Sequence, residues 1–352
     1  MDSPRSGRVI GHRARRAHRA STVRRAALLV CTAFAVAAPV RAQLPPGVVT
    51  RPDEARIVYD DLERFAAAFR RLAGTTDTAA MLDSAYLAAA TPGLRAYARV
   101  YGLDGAALAA AVAREPERYG RVTSETLARV SALEPAVRRM LERYRELYAD
   151  VVYPPIYFLV AHYVAGGTVQ PGGVLIATEV YAQPAAGGTP GDNTLDDLVH
   201  LVAHELTHYQ HAAADPQRYQ SANSLLARAI KEGAADFIAE KVSGGHINGP
   251  AHAYGVAHEW ELWRRFRCEM HGTDTGDWFF RRPAEPDWPQ DLGYFIGYRI
   301  VQSFFERQAD ATAAIAAIIR VADYPGLLEA SGYEEMLRER EGRDFPQCEA
   351  GV

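Results

Sequence analysis

The stretch TLDDLVHLVAHELTH, residues 194–208, decides the fold of this 352-residue chain. Its apolar residues recur at three- and four-residue steps, which predicts a helix with one buried face. The residues that form this face are Leu195, Leu198, Val202 and Leu206. Thr194 followed three residues later by Asp197 has the spacing of a capping box, so the helix is expected to begin there and to run to about Ala214.

The same helix carries two histidines, His204 and His208, on another flank. Residues four apart have Cβ atoms about 5–6 Å from each other, which suits two imidazoles converging on one metal ion. Glu205 is predicted to be the catalytic base, taking a proton from a metal-bound water and passing it to the leaving group. Chance gives this pentapeptide roughly once in fifty such sequences, so two hydrogen-bonded histidines on a packed helix remain the alternative.

A third ligand is expected from residues 229–240, an amphipathic helix. Glu232 is predicted to bind the metal, and Asp236, one turn later, to accept the free N–H of a ligand histidine. A metzincin is excluded because it would have glycine and histidine where this chain has His211 and Ala214. Two alternatives stay open: the two acids form a solvated face, or His211 replaces Glu232 as a ligand.

Three segments carry a resemblance to known proteins: VAHELTHYQ (202–210), KEGAADFI (231–238) and GYFIGYR (293–299). The first two have the HExxH and ExxxD spacing of gluzincins, and all three resemble a bacterial family of predicted zinc-dependent proteases related to a gliding-motility lipoprotein. The resemblance covers roughly residues 150–310. It implies a zincin-like core with one Zn²⁺ ion and a sheet edge strand that lines the cleft. Strand 174–181 is expected to fill that role, so that a peptide could add to it.

Amide hydrolysis also needs a hydrogen-bond donor for the developing oxyanion. Tyr294 and Tyr298 are the candidates, and Tyr294 is favoured by its position in the third resembling segment. Ordinary core tyrosines are the alternative for both. Gly293 and Gly297, four residues apart, are expected to permit close helix packing.

The first 42 residues predict a signal peptide. Arginines are frequent in residues 1–25, an apolar run covers residues 26–40, and Val40-Arg41-Ala42 precedes Gln43 as a signal peptidase requires. An N-terminal membrane anchor is the alternative, although the run is short for a stable membrane span. We therefore expect an exported protein, either periplasmic or secreted.

The charge of the mature chain restricts its partners. The first 42 residues contain nine of the 39 basic and one of the 43 acidic residues, which leaves 30 basic, 42 acidic and a net charge of −12. An acidic body argues against nucleic acid as a partner. No segment after residue 42 is apolar for long enough to cross a bilayer. A peptide or protein substrate is the expected partner.

The organisation predicted for the mature chain is a linker at 43–52, a helical region at 53–150 and a zincin-like metallopeptidase domain at 151–345. Strands at 156–164 and 174–181 precede several helices, which indicates an α+β fold. Cys268 and Cys348 are the cysteines left after processing, and either a disulfide or two free thiols fits the sequence.

Two functions fit these observations. The first is an exported zinc peptidase that cleaves amide bonds with Glu205 as base. The second is a non-catalytic envelope binding or assembly protein on a zincin fold, with a structural or vestigial metal. The intact Glu205 favours the first, since a structural site has no use for a general base.

Overall fold

The computed structural model describes residues 44–182, 194–280 and 287–348. Within them the chain forms a small sheet between two groups of helices. The strands are β1 (Ile57–Val58), β2 (Ile156–Leu159), β3 (Gly167–Gln170) and β4 (Gly173–Ala177). The helices before β2 are α1 (Asp60–Leu72), α2 (Thr78–Ala85), α3 (Pro92–Tyr101), α4 (Gly105–Arg114), α5 (Pro116–Arg121), α6 (Leu127–Ala132) and α7 (Glu134–Leu147). The helices after β4 are α8 (Leu198–Ala214), α9 (Pro216–Ser221), α10 (Leu225–Ser243), α11 (Gly249–Glu269), α12 (Leu292–Glu306), α13 (Ala311–Ile319), α14 (Tyr324–Ser331) and α15 (Tyr333–Glu341).

The predicted α+β class, with a mostly helical N-terminal region, is confirmed. The sheet has the order β1-β2-β4-β3; β2 runs parallel to β1 and β4, whereas β3 is antiparallel to β4. Every residue of β2 and β4 is buried, as expected for strands covered on both faces. None of the helices in the described residues has the length and apolar character needed to span a membrane.

The prediction that strand 174–181 lines the edge of the sheet is wrong. β4 ends at Ala177 and lies between β2 and β3, and Thr178–Val180 forms a short 3-10 turn. The edge strand is β3 instead. Its sequence, Gly-Thr-Val-Gln, has a single large apolar residue, so it lacks the alternating pattern by which strands are recognised.

Helix α8 is covered on several sides by other elements of the described residues. It packs on β3 and β4 and against α7 and α10, while α10 packs in turn on α12. Buried side chains run along α8 from Leu198 to His211, with His200 partly exposed. The predicted capping box is confirmed: the Asp197 carboxylate accepts the Thr194 backbone N–H at 2.6 Å, and the Thr194 side chain caps the first turn. The helix that carries the HExxH residues is therefore held on several sides.

Glycines set the distance between α10 and α12. A Cβ on Gly297 would collide with the backbone carbonyl of Ala229, and a Cβ on Gly233 would collide with the backbone of Tyr298. A Cβ on Gly293 would meet the ring of Phe279. The predicted close helix packing is confirmed at Gly297, whereas Gly293 packs against a ring outside the helices. The α10 backbone, and with it Glu232, is fixed by the contact at Gly297.

A disulfide joins the end of α11 to the C-terminal segment. Cys268 and Cys348 are bonded, with their Cα atoms 5.4 Å apart. Of the two pairing states that the sequence left open, the structure has the bonded one.

The helix contact predicts a large stability difference between two glycine substitutions. Gly297→Ala should destabilise the fold by about 1–3 kcal/mol, because α10 and α12 must separate to admit the methyl group. Gly120→Ala is the control: it lies in α5 with nothing within 4 Å of the added Cβ, so it should be neutral or stabilising by up to about 1 kcal/mol. Urea unfolding measures both. Equal stability of the two variants would contradict the packing described here.

Candidate metal centre

Two helices bring the three predicted ligands together. His204 and His208 project from α8, and Glu232 projects from α10. The Nε2 atoms of the two histidines are 3.0 Å apart. The Oε2 atom of Glu232 lies 3.0 Å from Nε2 of His208 and 3.5 Å from Nε2 of His204. These three donor atoms form a group that could hold a metal ion.

The donor separations fit the size of a zinc site. Zinc binds imidazole nitrogen and carboxylate oxygen at about 2.0–2.2 Å, so neighbouring donors of a tetrahedral site lie about 3.3–3.4 Å apart. The observed separations of 3.0–3.5 Å bracket that value. Three protein donors would leave a fourth position open, which is the pattern of catalytic rather than structural zinc sites.

Asp236 contacts one of the candidate ligands. The Nδ1 of His204 is 2.8 Å from Oδ1 of Asp236, which is fully buried. Donation of the Nδ1 proton to that carboxylate leaves the Nε2 lone pair facing the other donors. Burial pushes the pKa of Asp236 upward, but the hydrogen bond from His204 holds it below its usual range. The role predicted for Asp236 therefore matches its position.

The charges in the centre are strongly coupled. Burial pushes the pKa of Glu232 upward, but His208 and His204 together hold it well below its usual range. Burial would lower the pKa of His204, yet its hydrogen bonds to Asp236 and Glu232 raise that pKa to about 10. A divalent cation would compete with this proton, so metal binding should release protons and weaken as the pH falls.

Glu205 lies beside the three candidate ligands. It follows His204 on α8, is buried, and stands outside the metal-capable group. Burial raises the pKa of its carboxyl group, and the nearby His208 and His204 oppose that rise. A Cβ on Gly167 would lie 2.5 Å from Oε1 of Glu205, so the edge strand β3 directly adjoins this carboxylate. The Glu205 carboxylate therefore lies directly beside the edge strand of the sheet.

The two tyrosines proposed as oxyanion donors have different positions. The ring of Tyr294 stacks beside that of His204, with 6.0 Å between ring centroids and an angle of 28°. Burial raises the pKa of Tyr294 well above its usual range, so its hydroxyl keeps its proton. The Tyr298 hydroxyl already donates to Glu240 at 2.7 Å. In the described part of the chain, the Tyr294 hydroxyl has no such partner, so the geometry favours Tyr294.

The other histidines of α8 lie outside the group of candidate ligands. His200 contacts Ser243 through Nδ1 at 2.8 Å. The ring of His211 lies 6.1 Å from that of His208 and stacks on Tyr219. Burial lowers the pKa of His211 to about 3, so its ring is neutral, and both ring nitrogens are buried without a partner among the described residues. The structure therefore gives no support to His211 as the third ligand.

Sequence reasoning missed two features next to the centre. Tyr219 on α9 places its ring 6.3 Å from that of His208, and the Lys231 ammonium lies 4.9 Å from the Tyr219 ring centroid. The edge strand β3 adjoins Glu205. Neither feature could be predicted from its sequence distance to the HExxH residues. Tyr219 approaches His208 through the turn that follows α8, and β3 is brought into place by the turn that precedes β4.

Comparison with known proteins supports this assignment of the site. Residues 187–320 match the model of a family described as "Predicted Zn-dependent protease (DUF2268)". The matched segment includes α8, α10 and α12 and thus every ligand candidate, Glu205 and Tyr294. Over this segment the chain is similar to a class of predicted zinc proteases, in agreement with the resemblance of its motifs. No curated protein and no solved structure matches the chain.

The centre predicts which carboxylate controls metal affinity. Glu232→Gln should lower the affinity for one zinc ion by more than about 100-fold, since even the outer hydrogen-bond partners of a ligand are worth about 10–100-fold. Glu240→Gln, two turns later on α10, should leave that affinity unchanged because Glu240 contacts Tyr298 and no ligand. Competition with a chromophoric chelator measures both. Equal affinities in the two variants would exclude Glu232 as a ligand.

Proposed function

We propose that the protein is an exported zinc-dependent peptidase that hydrolyses amide bonds. One observation carries this proposal: His204, His208 and Glu232 converge with separations of 3.0–3.5 Å, and the carboxylate of Glu205 lies buried beside them. A structural site needs only the ligands. The additional buried carboxylate is the group that hydrolysis requires.

The three ligands would hold one zinc ion, which when bound would polarise a carbonyl group and lower the pKa of a bound water molecule to about 7. Glu205 would accept the proton of the attacking water and later deliver it to the leaving amine nitrogen. Its buried position suits both steps, because burial raises the pKa of the carboxyl group and favours its protonated form between them.

Tyr294 would stabilise the developing oxyanion. Its ring stacks beside His204, and its hydroxyl keeps its proton because burial raises the Tyr294 pKa. A phenol in this position can donate a hydrogen bond without a change in its own charge. Such donors act most strongly where water is excluded.

The edge strand β3 would position a peptide substrate. Ala177 donates its N–H to the carbonyl of Gly166, so these two residues form a hydrogen-bonded pair. In an antiparallel ladder such pairs alternate with pairs whose backbone groups point outward. Gly167 and Val169 belong to the second kind, so their backbone groups point away from β4. Within the described residues no strand pairs with that side of β3. An extended peptide could add there as a further strand. Its backbone would then pass beside Glu205, which Gly167 contacts.

Export rests on two observations of different kinds. Residues 1–42 have the composition of a signal peptide, although they lie outside the described residues. The Cys268–Cys348 disulfide fits an oxidising compartment, where such bonds persist. A periplasmic or secreted location is therefore part of the proposal.

Glu205→Gln tests the proposed reaction. The amide has the same shape but cannot accept a proton, so hydrolysis of a mixed peptide library by the processed chain should fall by about 10²–10⁴-fold. Zinc content should stay at the wild-type value because Glu205 is not in the metal-capable group. Mass spectrometry of the library and metal analysis measure the two quantities. Zinc binding without hydrolysis in the wild type would instead favour the binding or assembly protein.

The contact between β3 and Glu205 predicts a second activity difference. Gly167→Ala should reduce kcat by about 10–100-fold, because the methyl group displaces the Glu205 carboxylate and small misplacements of a catalytic group have effects of that size. Gly172→Ala, in the turn between β3 and β4, meets nothing within 4 Å and should retain wild-type kcat. Kinetics on one peptide substrate compare them. Equal kcat values would show that β3 does not position Glu205.

A further inference from the structure

A second group of metal-ligating side chains lies on the far side of Asp236 from His204. It consists of Asp236 on α10, His246 in the segment between α10 and α11, and His252 in the first turn of α11. One ligand atom from each lies within 4.8 Å of the other two. Asp236 is fully buried, and His252 is largely buried.

The position of His252 is unusual for a residue with a purely structural role. Its Nε2 atom is buried and has no hydrogen-bond partner in the described parts of the chain. That atom lies 3.5 Å from Oδ2 of Asp236, beyond the usual length of a hydrogen bond. The separation equals the one between His204 and Glu232 in the first centre, and it is close to the donor separation of a tetrahedral zinc site.

Neighbouring residues hold this group in place. The side-chain amide of Asn248 donates to Oδ2 of Asp236 at 2.7 Å. The Nδ1 lone pair of His246 accepts the Asn248 backbone N–H at 3.3 Å, a long hydrogen bond that a cation at that nitrogen would replace. The two imidazole rings lie 3.9 Å apart between centroids, and the rings of Phe295 and Tyr298 flank His252.

We propose that Asp236, His246 and His252 form a second site for a divalent cation of the zinc type. Two imidazoles and one carboxylate suit zinc and similar transition metals, whereas calcium and magnesium prefer sites built from oxygen ligands. The site differs from the first centre in all three ligands. The link between the centres is Asp236, whose Oδ1 contacts His204 while Oδ2 faces the second group.

This arrangement couples the two sites. A cation at Oδ2 withdraws negative charge from Asp236 and so weakens its hydrogen bond with His204. Each cation therefore lowers the affinity of the other site, and by linkage the factor is the same in both directions. The second cation acts as a regulator of the first centre and takes no part in proton transfer.

Zinc titration of the metal-free, processed chain tests the proposal. Isothermal titration with Zn²⁺ alone should give two ions per chain for the wild type and one for His252→Ala, His252→Gln or His246→Ala. His208→Ala should also bind one ion, at the second site. His271→Ala, which replaces an exposed histidine, is the matched control and should bind two.

The glutamine variant guards against a folding defect, since it keeps the size and polarity of the side chain. One ion in a His252→Gln variant with wild-type thermal stability supports the site. A His252→Gln variant that binds as many ions as the wild type, or a His208→Ala variant that binds none, overturns it. These results are independent of hydrolysis: loss of activity in Glu205→Gln leaves the ion count unchanged, so the two proposals fail separately.

Discussion

The close approach of ionisable groups between α8 and α10 is the constraint on which the rest of the structure depends. Two imidazoles and three carboxylates are largely removed from water there, and isolated charges in such a place are strongly unfavourable. Four of them persist because they pair with one another, and a divalent cation would complete that pairing. The fifth, Glu205, lies beside these pairs. The groups are His204, His208, Glu205, Glu232 and Asp236.

The surrounding elements restrict the movement of these groups. α8 lies on the sheet, and α10 is held against α12 by glycines whose replacement would force the helices apart. Gly167 allows a similarly close contact at the edge strand, because without a side chain at this position β3 can lie against Glu205. Close backbone contact thus converts a set of flexible polar side chains into a defined geometry, as catalysis by positioned groups requires.

Local spacing explains which parts could be predicted from the sequence. His204 and His208 share a face because they are four apart on a helix, and the same rule places Glu232 and Asp236. The helix predicted from Thr194 to about Ala214 corresponds to α8, and the predicted helical segment 229–240 lies within α10. What the sequence could not show depends on distant contacts: β3 as the edge, Tyr219 beside His208, and His252 beside Asp236. None of these has a periodic pattern.

Anomalous diffraction at the zinc absorption edge, on crystals of the processed protein grown with zinc, tests the central claim most directly. We expect an anomalous peak between His204, His208 and Glu232, about 2.0–2.2 Å from Nε2, Nε2 and a carboxylate oxygen respectively. The absence of a peak there, with the Glu232 side chain turned away from the two imidazoles, would contradict the proposed metal centre and the function derived from it.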